Sequence, residues 1–207
     1  MNTKETIISL LSSVKRDGME NLLKFLEESS FYTDPASCQE HNSYDGGLAD
    51  HSLNVYQVLM NYKRINSDLD KLEDSIKIIG LLHDISYVGT FQKITKNVTV
   101  KGSAGKNVVR EDGRLLFTEK QVYDPYYEAQ LPYPHGQLST MLVKQYIKLS
   151  KLEDLSIQWQ HGEKDLPPHL YPLVRRAQKM NPLILYTNLA DIEANIRYPH
   201  KQEKTNE

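Results

Sequence analysis

Six side chains are of the types that hold divalent transition metals for hydrolytic chemistry: His51, His83, Asp84, His135, His161 and Asp191. Imidazole nitrogens and carboxylate oxygens are the usual ligands of Mn, Fe, Co, Ni and Zn ions in such sites. An ion held this way lowers the pKa of a bound water and offsets negative charge on a phosphoryl oxygen. Two ions about 3.5–4 Å apart clamp both the attacking and the leaving oxygen, and a carboxylate such as Asp84 suits the bridging place between them. Taken singly, each residue says little. A lone histidine on an apolar face is more often a hydrogen-bonded core residue, and Asp191 alone reads as a salt-bridge partner. The signal is the joint pattern, each member standing at a helix end or in a loop fit to share a pocket.

The elements that must position these groups are mostly helical. Ile7, Leu10, Leu11 and Val14 recur at helical spacing before Asp17-Gly18 breaks the pattern. A second apolar face follows at Leu22, Leu23, Phe25 and Leu26, and residues 32–46 read as an ordered loop up to Gly46-Gly47. A third helix is expected from about Leu48 to Ile65, which puts His51 just inside its start. A fourth is expected from about Asp74 to Ile85, so that His83-Asp84 closes the run Ile78-Ile79-Gly80-Leu81-Leu82. Helices resume at about 138–149, 152–160 and 170–179. Asn181-Pro182 opens the last one, since proline suits the first helical turn. That helix carries Leu183, Leu185, Leu189 and Ile192, and places Asp191 on the face of Ile184, Thr187 and Asn188. A carboxylate on such a face is costly unless paired, and a metal removes the cost.

Between Tyr87 and Pro134 the helical period is lost. Runs at 94–100 and 115–122 lean towards strand, and Asp112-Gly113 is a turn signal. The expectation is a β-hairpin-containing insertion over about 88–134, a length of non-helical chain that is usually functional. Tyr123, Tyr126, Tyr127 and Tyr133 lie in it. They fit either stacking on a nucleobase or packing the insertion onto the helical body.

The 207 residues fit one domain, with 39% hydrophobic and 25% charged residues, and need no staple to build a core. A net charge of −2 gives no global attraction to nucleic acid or anionic membrane. Cys38 is the single cysteine; this excludes an intramolecular disulfide and a four-thiolate zinc site, and Cys38 itself reads as a small loop residue. No apolar run approaches the length of a membrane span, and the first residues read as an amphipathic helix rather than a signal peptide. A soluble, cytoplasmic protein is expected, with a polar tail over 199–207 expected to be disordered.

The strings GGLADHSLNVY (46–56) and IIGLLHDIS (78–86) resemble the HD superfamily of metal-dependent phosphohydrolases, and most closely its roughly 200-residue members from bacterial and phage genomes. PYPHGQLS (132–139), IQWQHGE (157–163) and NLADIEAN (188–195) are similar to the downstream histidines and closing aspartate of that family, so the resemblance spans about residues 4–198. It implies one all-α HD-type domain over residues 1–198, with about six or seven helices around the site. His51, His83, Asp84 and Asp191 match its four-ligand core, and His135 and His161 would extend it to two metals. The implied cofactor is one or two divalent transition-metal ions (Mn, Fe, Co, Ni or Zn), with Asp84 central to catalysis.

Three positions depart from the family pattern. Many members carry lysine three residues after the aspartate of the pair, where this chain has Tyr87; Lys93, Lys96, Arg110 and Lys164 are the candidate replacement cations. The histidine that directly follows the tryptophan in relatives is here Gln160, with His161 one step later. One step on a helix is about 100°, so either His161 faces away or the helix ends and the backbone compensates. Asn188 stands where relatives often have histidine. His41, Tyr87, Gln160 and Lys93 are candidate substrate contacts, although His41 fits a capping or surface role equally well.

The function that follows is hydrolysis of a phosphate ester or anhydride, by water activated on the metal, in a nucleotide or short oligonucleotide. A small phosphorylated substrate is favoured over a long nucleic acid. The alternatives are an HD-fold module that binds metal or nucleotide without turnover, and a single-strand 3'-5' exonuclease.

Overall fold

The computed structural model describes residues 2–38, 42–102, 105–127, 130–164 and 166–198. Among them are eight α-helices and one two-stranded antiparallel sheet. The chain is therefore helix-rich, with more helices than the six or seven implied by the resemblance. His41 and the tail over 199–207 lie outside the described residues.

Helix α1 (Thr3–Ser12) starts where the Asn2 side chain accepts from the Glu5 N–H and Glu5 reaches back to the Asn2 N–H, a reciprocal cap that satisfies two end groups. It packs against α2 (Met19–Glu28) and against α3 (Gly47–Ile65), the central helix, which also contacts α4 (Glu73–Leu82) and α8 (Pro182–Arg197). Ile7, Leu11, Leu48, Val55, Leu59, Ile78, Ile79 and Leu82 are fully buried between these elements. Gly80 lets α3 and α4 approach closely: a Cβ there would stand 2.7 Å from the Tyr56 Cα. Only a residue without a side chain fits that crossing.

The fourth helix ends three residues earlier than expected. His83 still has helical dihedrals, but Asp84 leaves them at φ −105° and ψ 16°, the sparsely populated bridge region common at active sites. Residues Ile85–Tyr87 then form one 3₁₀ turn that packs on α5 (His135–Val143). Helix α5 begins and ends earlier than the expected 138–149, placing His135 at its first position. Helix α6 (Lys151–Gln158) has a second reciprocal cap, Ser150 with Glu153. Helix α7 (Tyr171–Met180) follows a short 3₁₀ turn, and Asn181 caps α8 by accepting from the Leu183 N–H.

Strands β1 (Phe91–Thr99) and β2 (Phe117–Pro125) pair from Phe91 opposite Pro125 to Thr99 opposite Phe117. The ribbon is exposed over most of its length, and its base is tied to the helical body. Asp45 takes the Lys93 ammonium at 2.7 Å and the Tyr123 hydroxyl, while the Tyr126 N–H donates to the Thr90 carbonyl at 2.8 Å. Asp112-Gly113 does turn the chain, with Gly113 at φ 80°, but it closes a smaller loop bridged at Val109–Leu115 rather than the main hairpin.

Helix α8 is oriented against its most apolar stripe. Leu183 is buried, but Leu185, Leu189 and Ile192 are 39–48% exposed, and Ile184, Thr187, Ala190, Asp191 and Ala194 face inward. No helix is long and apolar enough to cross a membrane among the described residues.

One buried ion pair braces the side of the molecule that carries α6. The Glu153 carboxylate is fully buried, accepts from Arg16 at 2.6 and 3.1 Å and from Ser75 at 2.8 Å, and so joins the loop between α1 and α2 and the start of α4 to α6. Burial pushes its carboxyl up, but the bonds from Arg16, the Ser150 backbone and Ser75 outweigh this and hold it below the usual range. A carboxyl with a depressed folded-state pKa stabilises above its unfolded value, and that contribution is lost as pH falls through the folded value. Arg16→Met is thus expected to lower unfolding free energy in urea by about 3 kcal/mol at pH 7. The deficit should shrink as pH falls below the ordinary glutamate range and through the lowered folded-state value of Glu153. A deficit independent of pH would contradict this account.

Candidate metal centre

The helix ends converge on one carboxylate. Asp84 is 3% exposed, and its two oxygens face different partners. Oδ2 lies 3.3 Å from His51 Nε2 and 3.4 Å from His83 Nε2. Oδ1 lies 2.7 Å from His135 Nε2 and 4.0 Å from His161 Nε2, and accepts from the Gln160 amide at 2.9 Å. Asp191 repeats the division from the opposite side, with Oδ1 3.1 Å from His51 Nε2 and Oδ2 3.8 Å from His161 Nε2. The structure thus brings all six predicted donors together, from α3, the end of α4, the start of α5, the turn after α6, and the middle of α8.

The donor set fits a divalent ion. Ligand atoms sharing an ion at about 2.1 Å must lie roughly 3–4 Å apart. Two groups come near that span, His51 with His83 and Asp84, and Asp84 with His135 and His161, with all donor atoms within 4.8 Å of one another in each group. The two Nε2 atoms of His51 and His83 stand 3.2 Å apart, an unfavourable facing of lone pairs unless a cation or proton lies with them. The Gln160 Oε1, buried beside this cluster, has no hydrogen-bond partner among the described residues. A buried His/Asp cluster compatible with a divalent metal ion is therefore present.

Partners outside the donor set fix which nitrogen points inward. The Gly80 carbonyl can only accept, so the 3.0 Å contact from His83 Nδ1 puts the proton there and leaves Nε2 as the donor atom. The Ser86 hydroxyl lies 2.6 Å from His135 Nδ1 and donates to the His135 carbonyl at 3.3 Å, leaving its oxygen to accept the Nδ1 proton. Ser139 donates to Ser86 at 2.9 Å. Tyr87 lies flat against His135 (centroids 3.8 Å, 23° between planes), and His135 lies flat against His161 (5.3 Å, 14°).

The electrostatics favour positive charge at the centre. Burial alone would push His51 down, but its bonds to Asp191 and Asp84 outweigh this and raise it to about 10. Burial pushes Asp84 up, yet the charges and bonds of His83, His135 and His51 hold it well below its ordinary value. Asp191 is likewise lowered against burial, chiefly by His51. Burial draws His161 down, against the pull of Asp84 and Asp191.

Of the two alternatives for His161, the helix ends. α6 stops at Gln158, and Asn188 donates to the Gln160 carbonyl at 2.7 Å. Gly162 turns away at φ 60°, where a Cβ would stand 3.0 Å from Asn188 Oδ1. Gln160 is fully buried and bonded to Asp84, so it holds a donor in place.

Lys93 is paired with Asp45 and lines neither of the two cavities beside the cluster, and Lys96 is paired with Asp124. Arg110 sits in the far loop of the hairpin. Lys164 lines a cavity of about 110 Å³ together with Tyr87, His135, Gln160 and His161. Sequence reasoning missed Ser86, Ser139 and the carbonyl of Gly80, because small polar residues and backbone groups have no distinguishing pattern. No protein-family model, curated protein or solved structure matches the chain.

Purified protein is expected to retain a divalent metal by elemental analysis, or to gain thermal stability on addition of Mn²⁺, Co²⁺ or Ni²⁺. Asp84→Ala should abolish both. Gln160→Leu should weaken metal affinity roughly 10–100-fold, the usual effect of removing a group that orients a ligand. A metal-free protein indifferent to all three ions would sink the assignment.

Proposed function

We propose that this chain is a metal-dependent phosphohydrolase of the HD superfamily that cleaves a phosphate ester or anhydride of a nucleotide or short oligonucleotide, using two divalent ions. The observation that carries the reading is the divided coordination of Asp84, one oxygen towards His51 and His83, the other towards His135 and His161. A carboxylate flanked on both sides by imidazoles suits two cations better than one, and Asp191 faces both sides as well. Ions held there supply Lewis acidity towards a phosphoryl oxygen and lower the pKa of water.

The chain's own residues do the positioning. The Gly80 carbonyl and Ser86 orient His83 and His135 so that Nε2 faces inward, and Gln160 holds the Asp84 oxygen between its neighbours. Lys164, at the small cavity over His135 and His161, supplies a positive charge for a phosphate that Tyr87 cannot offer. Tyr87 instead braces the His135 ring. Burial of the cluster, with His51 and His83 fully covered, excludes competing water from its inner face and strengthens each electrostatic contact.

A second reading, binding of metal or nucleotide without turnover, draws on that same Tyr87: the position that carries a cation in many members of the family is here an aromatic brace. The two readings separate on a substrate panel. Mononucleotides, cyclic nucleotides and a labelled single-stranded oligonucleotide are each incubated with Mn²⁺, Co²⁺ or Ni²⁺. Hydrolysis that fails in Asp84→Ala, with about two ions per chain in the wild type and about one in His135→Ala, is the expected result. Metal binding with no phosphate release from any substrate would favour the non-catalytic module, and stepwise release of 3'-terminal nucleotides the exonuclease.

A further inference from the structure

Two cavities meet at the Tyr87–His135 pair. The smaller, about 110 Å³, opens over Gln160 and His161 and belongs to the donor cluster. The larger, about 420 Å³, lies against the same two rings and holds none of the six donors except His135. Its volume falls within the range of about 300–1,000 Å³ ordinary for small-molecule sites.

The walls of the larger cavity differ in kind from the donor cluster. Tyr87, Phe91 and Tyr133 present aromatic rings, Leu131 an apolar side chain, Gln130 an amide and Cys38 a thiol. No Asp, Glu, Lys or Arg is among its described lining residues. Apart from His135, which it shares with the smaller cavity, the described lining offers no basic side chain to offset a phosphate, and its apolar walls disfavour burying one. It suits a flat, uncharged ring, which gains from stacking on aromatic faces and can be read at its edge by an amide. Phe91, Gln130, Leu131 and Tyr133 all come from the hairpin-bearing insertion. The excursion therefore builds one wall of a pocket beside the donor cluster, and Tyr133 acts there as a lining ring rather than only as packing.

Resting on the phosphohydrolase reading above, we infer that this cavity holds the nucleobase of the substrate, while its phosphate lies across His135 in the small cavity beside Lys164. The Tyr87–His135 pair is the wall that the two subsites share. The insertion then selects nucleotides over other phosphate esters, and the donor cluster acts on whatever phosphate the base brings to it.

Cys38 makes the inference testable without turnover or metal, because it is the chain's single thiol, is partly exposed and lines the cavity. The alkylation rate of Cys38 by iodoacetamide is measured in the wild-type protein with adenosine, guanosine, cytidine, uridine or thymidine, and with ribose 5-phosphate. At least one nucleoside is expected to slow the reaction in a saturable way, and ribose 5-phosphate at equal concentration is not. Tyr133→Ala and Phe91→Ala should each weaken that protection roughly 5- to 150-fold, equivalent to ~1–3 kcal/mol for a base stacked on an aromatic ring. Tyr133 is 48% exposed, so its loss leaves the fold intact, which circular dichroism checks. Nucleosides that leave the Cys38 rate unchanged, or protection that survives both alanine variants, would overturn the inference. The two readings fail separately: hydrolysis of base-free phosphate esters with no nucleoside protection keeps the phosphohydrolase and removes the base pocket. Protection in a protein that neither binds metal nor releases phosphate keeps the pocket and removes the hydrolase.

Discussion

A buried carboxylate without partners costs several kcal/mol, and Asp84 is a buried carboxylate at the point where five segments of the chain meet. Its four imidazole neighbours and the Gln160 amide offset that cost, and they come from four stretches: α3, the end of α4, the start of α5, and the turn leaving α6, which supplies both Gln160 and His161. The helices are therefore constrained in direction as well as in packing. Their ends must point at one place, and the apolar core between α1, α3, α4 and α8 is arranged around that requirement.

The constraint explains features that packing alone would not. Helix α8 turns Leu185, Leu189 and Ile192 towards solvent and Asp191 inward, where the carboxylate meets His51. Asp84 sits in bridge-region dihedrals because a continued α4 would carry its side chain around the helix. The close crossing at Gly80 does two jobs at once: it lets α3 and α4 approach, and its carbonyl fixes the His83 ring. Orientation of ligands by hydrogen bonds and ring stacking leaves little reorganisation to be done when a charged ligand arrives.

The hairpin stands apart from this logic. Most of it is exposed, and Asp45 anchors its base through Lys93 and Tyr123. Its root and the segment leading back to α5 line the cavity against Tyr87 and His135, so the part of the chain least committed to the core still borders the donor cluster.

Much of this was legible in the residues themselves. Helix starts at Gly46-Gly47 and Asn181-Pro182 and the strand-forming character of 94–100 and 115–122 follow from local signals, caps and periodicity, while the six donor residues follow from their joint pattern along the chain. The local signals act within a turn or two of chain, so they survive without knowledge of the fold. Four things did not follow. The direction of His161 depends on Asn188, 28 residues from Gln160 in sequence, catching the Gln160 carbonyl. The bond from the buried Gln160 amide to Asp84 and the pairing of Lys93 with Asp45 also join residues far apart in sequence. The split of Asp84 between two pairs of imidazoles is visible only once four distant histidines share a space of a few ångströms. Residue type and order were enough to nominate the donors; which atoms face each other was decided by tertiary structure, because hydrogen bonds and coordination depend on distances that no local pattern encodes.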